Sequence, residues 1–503
     1  MPRELSTLLP QPVFNEGNVT PDPTQFKTKH PSDNQQYREI EKLLTKDVVA
    51  FDQSRMQPGD VYSLSAALGP HGAESVQQIK QAGQIVFHCA GDTGASSEGK
   101  YGNELRVSDQ VTADCRASDA TNRPAFFYHL GDVVYNFGES KYYYDQFYEP
   151  YRNYPAPIFA IPGNHDSFII PGTPAESTPL TIFNRNFCAL TSTITPEAAS
   201  LHRTAMTQPG VYFALDAPFV RIIGLFSNAL EDPGVISSEG GKWRAVPDYQ
   251  LQFLTAQLQR IKKEKYSGAV LLAMHHPPFC YQPAPKSAGS GGDHSSSPNM
   301  LQQIDTICKA QGVYPHAVLS GHAHNYQRFT RTIQFAGSSI QVPFIICGDG
   351  GHDVLTLVQG KGGQPAQEPT FGTSVDYLEP KQPAVQAKSL VLNHYDDTNY
   401  GYLRVNVNKS QLQIEFHQVG QGSIAQSRTD MVTVNLSASR LLETDAIDLC
   451  DAADDCAGKE MTNWSSGKAS LICKNGETGE IASGFPWASA LSNASVPSVL
   501  PVI

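Results

Sequence analysis

Between residues 84 and 350 the sequence repeats one gesture: a strand-length apolar run that stops at a polar exit. In order, "QIVFHCA" runs into "GDTG", "AFFYHL" into "GDVVY" and "PIFAIP" into "GNHD". Then "AVLLAM" runs into "HHPP", "HAVLS" into "GHAH" and "PFIIC" into "GDGG". Between them, "VYFALDAPFVRIIGLFSN" reads as two strands and "VPDYQLQFLTAQLQRIKKEK" as an amphipathic helix. Strands alternating with helices imply a layered α/β domain. In such domains ligands bind outside the carboxyl ends of the strands. Asp92, Asp132, Asn164, His275, His322 and His324 are therefore expected at one sheet edge. The glycines at 91, 131, 163 and 321 suit tight exits from a strand.

That set offers two carboxylates, one amide oxygen and three imidazoles, with Tyr135 three residues past Asp132. Oxygen and nitrogen donors without a thiolate suit Mn, Fe, Zn or Co. Seven groups exceed what one catalytic ion with an open position needs. They match two ions sharing a bridging carboxylate, an arrangement able to clamp both oxygens of an in-line phosphoryl displacement. A single His or Asp after a strand is ordinarily a cap or a turn residue. Paired polar side chains at successive strand exits, in "GNHD" and "GHAH", are a costly way to make a turn.

The rest of the chain bounds these expectations. Its 503 residues allow one large domain with insertions, or two or three domains. The net charge of −12 disfavours a general nucleic-acid or membrane-surface binder. No run approaches the ~20 apolar residues of a membrane span. The first residues lack the apolar centre of a secretory signal, so the sequence as it stands reads as cytoplasmic, or as periplasmic or secreted if a signal has been removed. Nine cysteines do not make a disulfide framework; Cys89, Cys280 and Cys347 read as buried thiols, and the pairing of Cys450, Cys456 and Cys473 stays open. Glycosylation triplets at Asn18, Asn435, Asn463 and Asn493 matter only in a secreted eukaryotic chain. Neither a P-loop nor a G-x-S-x-G elbow occurs.

Residues 1–80 read as an arm with short helices, one over "NQQYREIEKLLTKDVVAF" and one over "GAESVQQIKQAG" ending at Gly83. Residues 81–440 read as the catalytic domain, with a hairpin over "GYLRVNVNKSQLQIEFHQV" turning at Asn-Lys. Residues 441–503 read as an Ala/Ser/Gly-rich tail. The Gly/Ser-rich stretch 283–299 reads as a mobile cover or an inert insertion.

The ordered series over residues 84–355 resembles the calcineurin-like metallophosphoesterase superfamily. Its general pattern is Asp-x-His, Gly-Asp-x-x-Asp, Gly-Asn-His-Asp/Glu, His and Gly-His-x-His. Here Gly94 stands where the first His would be, and Tyr135 where the second motif ends in Asp. Both departures resemble the purple acid phosphatase branch, as do "CGDGGHD" (347–353), similar to its Gly-Asp-Gly-Gly-Asn, and "GHAHNYQR". The resemblance implies an α-β-β-α sandwich with mixed sheets, and a metal site at strand C-terminal ends. It implies that Asp92, Asp132, Tyr135 and His324 hold a first ion, and that Asp132 bridges to a second held by Asn164, His275 and His322. A phenolate suits Fe(III), so the expected cofactors are Fe(III) with a divalent Zn, Mn or Fe. The expected substrate is a small phosphorylated molecule: a phosphate monoester, or alternatively a diester or nucleotide, with a non-catalytic scaffold as a third reading. His165 is the first candidate to bind phosphate or protonate the leaving oxygen. His276 and His294 come second, and His294 reads more readily as a solvated loop residue. The N-terminal β-sandwich of the plant enzymes is not expected here.

Overall fold

A computed structural model describes residues 11–15, 47–57, 60–170, 178–281, 297–357, 369–420 and 427–442, and three short strands between 459 and 480. The chain divides into two units, Met1–Leu441 and Leu442–Ile503.

The first unit starts with β1 (Tyr62–Ser63), α1 (Gly72–Ala82), β2 (Gln84–Ala90), α2 (Glu98–Ala117), β3 (Pro124–His129) and β4 (Ile158–Ala160). It continues with α3 (Thr181–Phe187), β5 (Phe213–Ala217), β6 (Val220–Leu225), α4 (Tyr249–Lys263), β7 (Ala269–Met274), α5 (Pro298–Gln311) and β8 (Ala317–Ser320). Then come β9 (Tyr326–Phe335), β10 (Ser338–Cys347), β11 (Thr373–Ser374), β12 (Ala387–Asp396), β13 (Tyr400–Asn408), β14 (Gln411–Val419), β15 (Ser427–Asn435) and β16 (Arg440–Leu441). Two mixed sheets result. One has the order β1-β5-β6-β7-β8-β10-β9-β12-β11 and the other β16-β15-β14-β13-β2-β3-β4. They face each other through aromatic pairs: Tyr128 on Phe213 at 6.0 Å between centroids, and Tyr326 on Phe416 at 3.9 Å. α2 packs on β13 and β14, while α4 packs on β6 and against α5. The architecture is thus α-β-β-α. The second unit contributes β17 (Lys459–Thr462), β18 (Ser470–Cys473) and β19 (Thr478–Glu480), an antiparallel sheet.

The six anticipated strands are all present. Nearly every residue of β2, β7 and β8 is buried, because helices and the opposite sheet cover both faces. Their six exits do not lie on one sheet edge, however. β2, β3 and β4 belong to one sheet, and β7, β8 and β10 to the other. The two edges meet: Gly91 N–H donates to Cys347 O at 2.9 Å, joining the exits of β2 and β10.

Other differences have local causes. α2 was not anticipated, because its buried face (Glu104, Val107, Ser108, Val111, Thr112, Cys115) is half polar and shows no apolar stripe. The helix expected over 34–51 falls mostly outside the described residues, and its described end, 47–51, is not helical. α1 does end at Gly83, which caps it in the left-handed conformation (φ 79°). Part of the expected arm joins the main sheet, since β1 pairs in parallel with β5. The β13–β14 hairpin turns at Lys409-Ser410, where Asn408 Oδ1 accepts Ser410 N–H and Gln411 N–H, each at 2.9 Å. Pro298 opens α5, so the Gly/Ser-rich stretch ends at Ser297. Cys89, Cys280 and Cys347 are buried free thiols. Cys450 and Cys456, and the triplets at Asn18, Asn463 and Asn493, lie outside the described residues. Among the described residues no helix is long and apolar enough to cross a membrane.

Candidate metal centre

The strand exits bend abruptly. Asp92, Asp132, His322 and His324 all adopt left-handed backbone, with φ of 57°, 55°, 70° and 47°. Each such non-glycine residue costs on the order of 1–3 kcal/mol, and such strain clusters at functional sites. The neighbouring glycines leave room for the carboxylates. A Cβ on Gly163 would stand 2.1 Å from Asp132 Oδ1, and one on Gly321 2.5 Å from Asp92 Oδ2.

Two groups of donors form. In the first, Tyr135 OH donates to Asp92 Oδ1 at 2.8 Å and lies 3.0 Å from His324 Nε2, which is 3.3 Å from Asp92 Oδ1. In the second, His275 Nε2 stands 3.0 Å from Asn164 Oδ1 and 3.3 Å from Asp132 Oδ2. Asp92, Asp132 and His275 each bring one ligand atom within 4.8 Å of the others, linking the groups. His322 reaches in twice. Its N–H donates to Asp92 Oδ2 at 2.7 Å, and its ring lies 5.1 Å from that of His275. All seven expected donors therefore gather in one buried place.

The electrostatics describe two buried carboxylates that draw positive charge toward themselves. Burial opposes ionisation of Asp132, but His275 and His165 overcome it and hold its carboxyl below the usual range. Burial opposes protonation of His275, yet Asp132 and Asp92 push its pKa up to about 9. Burial, then Asp132 and Asp92, raise the Tyr135 phenol. Asp132 Oδ2 is buried without a hydrogen bond. That oxygen lies 3.3 Å from His275 Nε2, a charge contact without good hydrogen-bond geometry, and a buried carboxylate ringed in this way by oxygen and imidazole donors is what a hard or borderline cation fits.

Supporting residues fix these donors. Leu130 O accepts the Nδ1 proton of His275 at 2.9 Å, which turns Nε2 toward the site. Glu231 Oε2 accepts Asn164 Nδ2–H at 3.1 Å, which leaves Oδ1 facing inward. Asp166 accepts N–H groups from Gly163, Val133 and Val134 at 2.8–3.1 Å, stitching "GNHD" to "GDVVY". Burial and the charge of Asp132 push its carboxyl up to about 7. The side-chain amide of Gln146 grips the backbone of Tyr135 at both N–H and C=O. At Gly94 a side chain has no space, because a Cβ would lie 2.5 Å from Val133 O and 2.6 Å from Gln146 Oε1. Glu231 and Gln146 carry no motif of their own: Glu231 acts from a loop and Gln146 from the short π-helical segment Tyr144–Tyr148. Asp166 sat within a motif and carried a visible signal.

The three acid candidates separate. His165 is 7% exposed, donates Nδ1–H to Asn136 O at 3.2 Å, and its ring lies 4.4 Å from that of Tyr135. His276 is fully buried with both nitrogens engaged: Nε2–H donates to Leu230 O at 2.6 Å, and Nδ1 accepts Ser227 Oγ–H at 2.7 Å. Burial, then His275, push its pKa down to about 3. That geometry ties His276 to the loop carrying Leu230, while its ring lies 4.2 Å from that of His322. His294 lies outside the described residues.

Comparison with known proteins agrees in kind. Residues 85–326 match the family described as calcineurin-like phosphoesterase, and residues 354–427 match iron/zinc purple acid phosphatase-like protein C. Among curated proteins no sequence matches. Similar solved structures include one titled "Structure of PhoD", with TM-score 0.41 and 13% identity over 73% of this chain and 72% of that one. Another is "GAP50 the anchor in the inner membrane complex of Plasmodium", with TM-score 0.40 and 13% identity over 69% and 89%. The first match covers β2, β3, β4, β7 and β8 with their exits and the second runs from β11 through β14, and by them the chain belongs to the calcineurin-like phosphoesterase superfamily, in its purple acid phosphatase-like branch.

Proposed function

We propose that this chain hydrolyses phosphate monoesters at a binuclear metal centre of the purple acid phosphatase type. The observation that carries the reading is the Asp92–Tyr135–His324 group meeting the Asp132–Asn164–His275 group in one buried site. Asp92, Tyr135 and His324 would hold Fe(III); Asn164, His275 and His322 would hold a divalent Zn, Mn or Fe; Asp132 would serve both. Bound there, the ions supply Lewis acidity toward a phosphoryl oxygen and lower the pKa of a water.

The chain's own residues do the rest. Asp132 keeps its charge in a buried place, ready to hold cations together. Glu231 and Leu130 aim Asn164 and His275 before any ligand arrives, so no reorganisation is needed during reaction. His165 has Nδ1 tied to Asn136 O, which leaves Nε2 as the nitrogen that would contact the phosphate or hold the proton destined for the leaving oxygen.

Two measurements test the reading. Purified oxidised protein should show a broad visible tyrosinate-to-iron band that disappears in Tyr135→Phe; a colourless protein holding two divalent ions would sink the iron assignment. Turnover of a nitrophenyl monoester should exceed that of the corresponding diester, and the reverse order would move the function to a phosphodiesterase.

A further inference from the structure

Tyr135 is held on more sides than a ligand requires. Its phenol lies on Asp92 and His324, and its backbone is gripped by Gln146. In addition its ring contacts two imidazoles. His165 covers one neighbour position at 4.4 Å between centroids, tilted by 40°. His352 stacks nearly flat on it at 3.5 Å and 13°.

His352 is itself fixed at three points. Its backbone N–H donates to Asp92 O at 2.9 Å, and its Nδ1–H donates to Gly94 O at 2.7 Å. With Nδ1 serving as donor, Nε2 accepts from the Lys100 ammonium at 3.3 Å. This pattern defines a neutral ring in one tautomer, with a cation hydrogen-bonded at its far edge. An ammonium there draws electron density out of the imidazole, which makes the ring a better partner for the electron-rich face of a tyrosine. Gly94 and His352 also complete each other. The absent side chain at 94 leaves a bare carbonyl, and His352 uses it. His352 further lies 5.3 Å from the His324 ring, so it touches two presumed donors of the same ion.

We propose that His352, tethered to Gly94 and polarised by Lys100, is a positioning residue that sets the plane of Tyr135 and so the direction in which its oxygen meets the first ion. The inference rests on the reading of Tyr135 as a metal donor. It assigns a role to "CGDGGHD", which the proposed chemistry does not otherwise use.

The test uses the full chain, stripped with a chelator and reloaded with Fe(III) and Zn(II). In His352→Ala the tyrosinate band shifts and weakens, and affinity for one of the two ions falls about 10- to 100-fold, the usual cost of losing an outer partner of a ligand. Lys100→Met shifts the band in the same direction by less. His352→Asn keeps an N–H for Gly94 O without the ring, and should resemble His352→Ala. Unchanged band and affinity in His352→Ala, or full rescue by His352→Asn, overturns the stacking role. Should His352→Ala fail to fold, the other two variants carry the same readouts.

A second readout needs no metal. With ring-labelled tyrosine, the two sides of Tyr135 give separate signals in the metal-free chain, assigned by their loss in Tyr135→Phe. They merge in His352→Ala as the ring becomes free to flip. Merged signals in the unmutated chain overturn the inference. If the unmutated chain never develops a band, the iron reading fails, and the ring-flip result alone decides the role of His352.

Discussion

Two buried clusters of charge in this domain look alike in composition and differ in every other respect. In the first, Arg331 on β9 is fully buried between two carboxylates. It donates to both oxygens of Asp305 at 2.8 and 2.9 Å and to both oxygens of Glu379 at 2.5 and 3.0 Å. Tyr314 OH donates to Asp305 Oδ1 at 2.7 Å. In the second, Asp92 and Asp132 sit among imidazoles, Asp132 Oδ2 has no hydrogen bond, and four of the donors have left-handed backbone. The Arg331 cluster carries its own counter-charge on regular strand and helix. The candidate metal centre sets only a titratable His275 against its two carboxylates, at 3.3 Å from Asp132, and bends its backbone to keep the donors facing each other. Matched hydrogen bonding marks a cluster that holds the fold; an unmatched oxygen on strained backbone marks one that waits for a ligand.

Mutation can break that comparison. The largest effect is expected from Asp132→Asn, which should lose at least about a hundredfold in hydrolysis along with bound metal, while its metal-free unfolding midpoint changes less than that of the next variant. Full activity in Asp132→Asn would dismiss the bridging role. Asp305→Ala should do the opposite: about 3–5 kcal/mol of stability is lost because Arg331 is left buried against Glu379 alone, with metal stoichiometry retained in the protein that folds. Chemical denaturation with metal analysis distinguishes the two.

Glu231→Ala sharpens the comparison within the site. Freed of its partner, Asn164 no longer has a fixed amide orientation, and affinity for one ion should drop about 10- to 100-fold. Competition with a chromophoric chelator measures this, and an unchanged affinity would show that Asn164 needs no orienting group.

The smallest effect is a pH window in the metal-free chain. His275 titrates at about 9 when folded, against about 6.5 unfolded. A raised pKa stabilises the fold fully below the unfolded value, and that contribution is lost as pH rises through the folded one. Metal-free protein should therefore lose stability between about pH 6.5 and 9. Bound ions require neutral His275, so loading the site should flatten this slope. Melting curves across the range, with and without metal, give the answer; a parallel slope in both forms would remove His275 from the ligand set.

Legibility in the sequence followed the range of the interaction. Asp92, Asp132, Asn164 and His322 each follow a glycine at the end of a strand-length apolar run, and His324 stands two residues past His322, so local pattern sufficed to find them. Tyr135 and Gly94 were readable as a pair because both depart from one motif series. α2 escaped because its buried face carries Glu104, Ser108 and Thr112. The single sheet edge expected for the six exits became two edges, since an apolar run states that a strand is buried and says nothing about which sheet buries it. His275 and His276 are adjacent and chemically identical. The Leu130 carbonyl turns Nε2 of His275 toward Asn164, whereas Ser227 and Leu230 engage both ring nitrogens of His276.

By itself, then, the sequence determined the donor types, their order, the superfamily and its branch, because each rests on a turn a few residues long. Tertiary structure alone decided how the candidate donors divide into two groups, that Asp132 meets His275, and that Glu231, Gln146 and His352 contact Asn164 and Tyr135. Those are contacts between residues tens to hundreds of positions apart, and chain pattern carries no record of them until two sheets close over a shared edge.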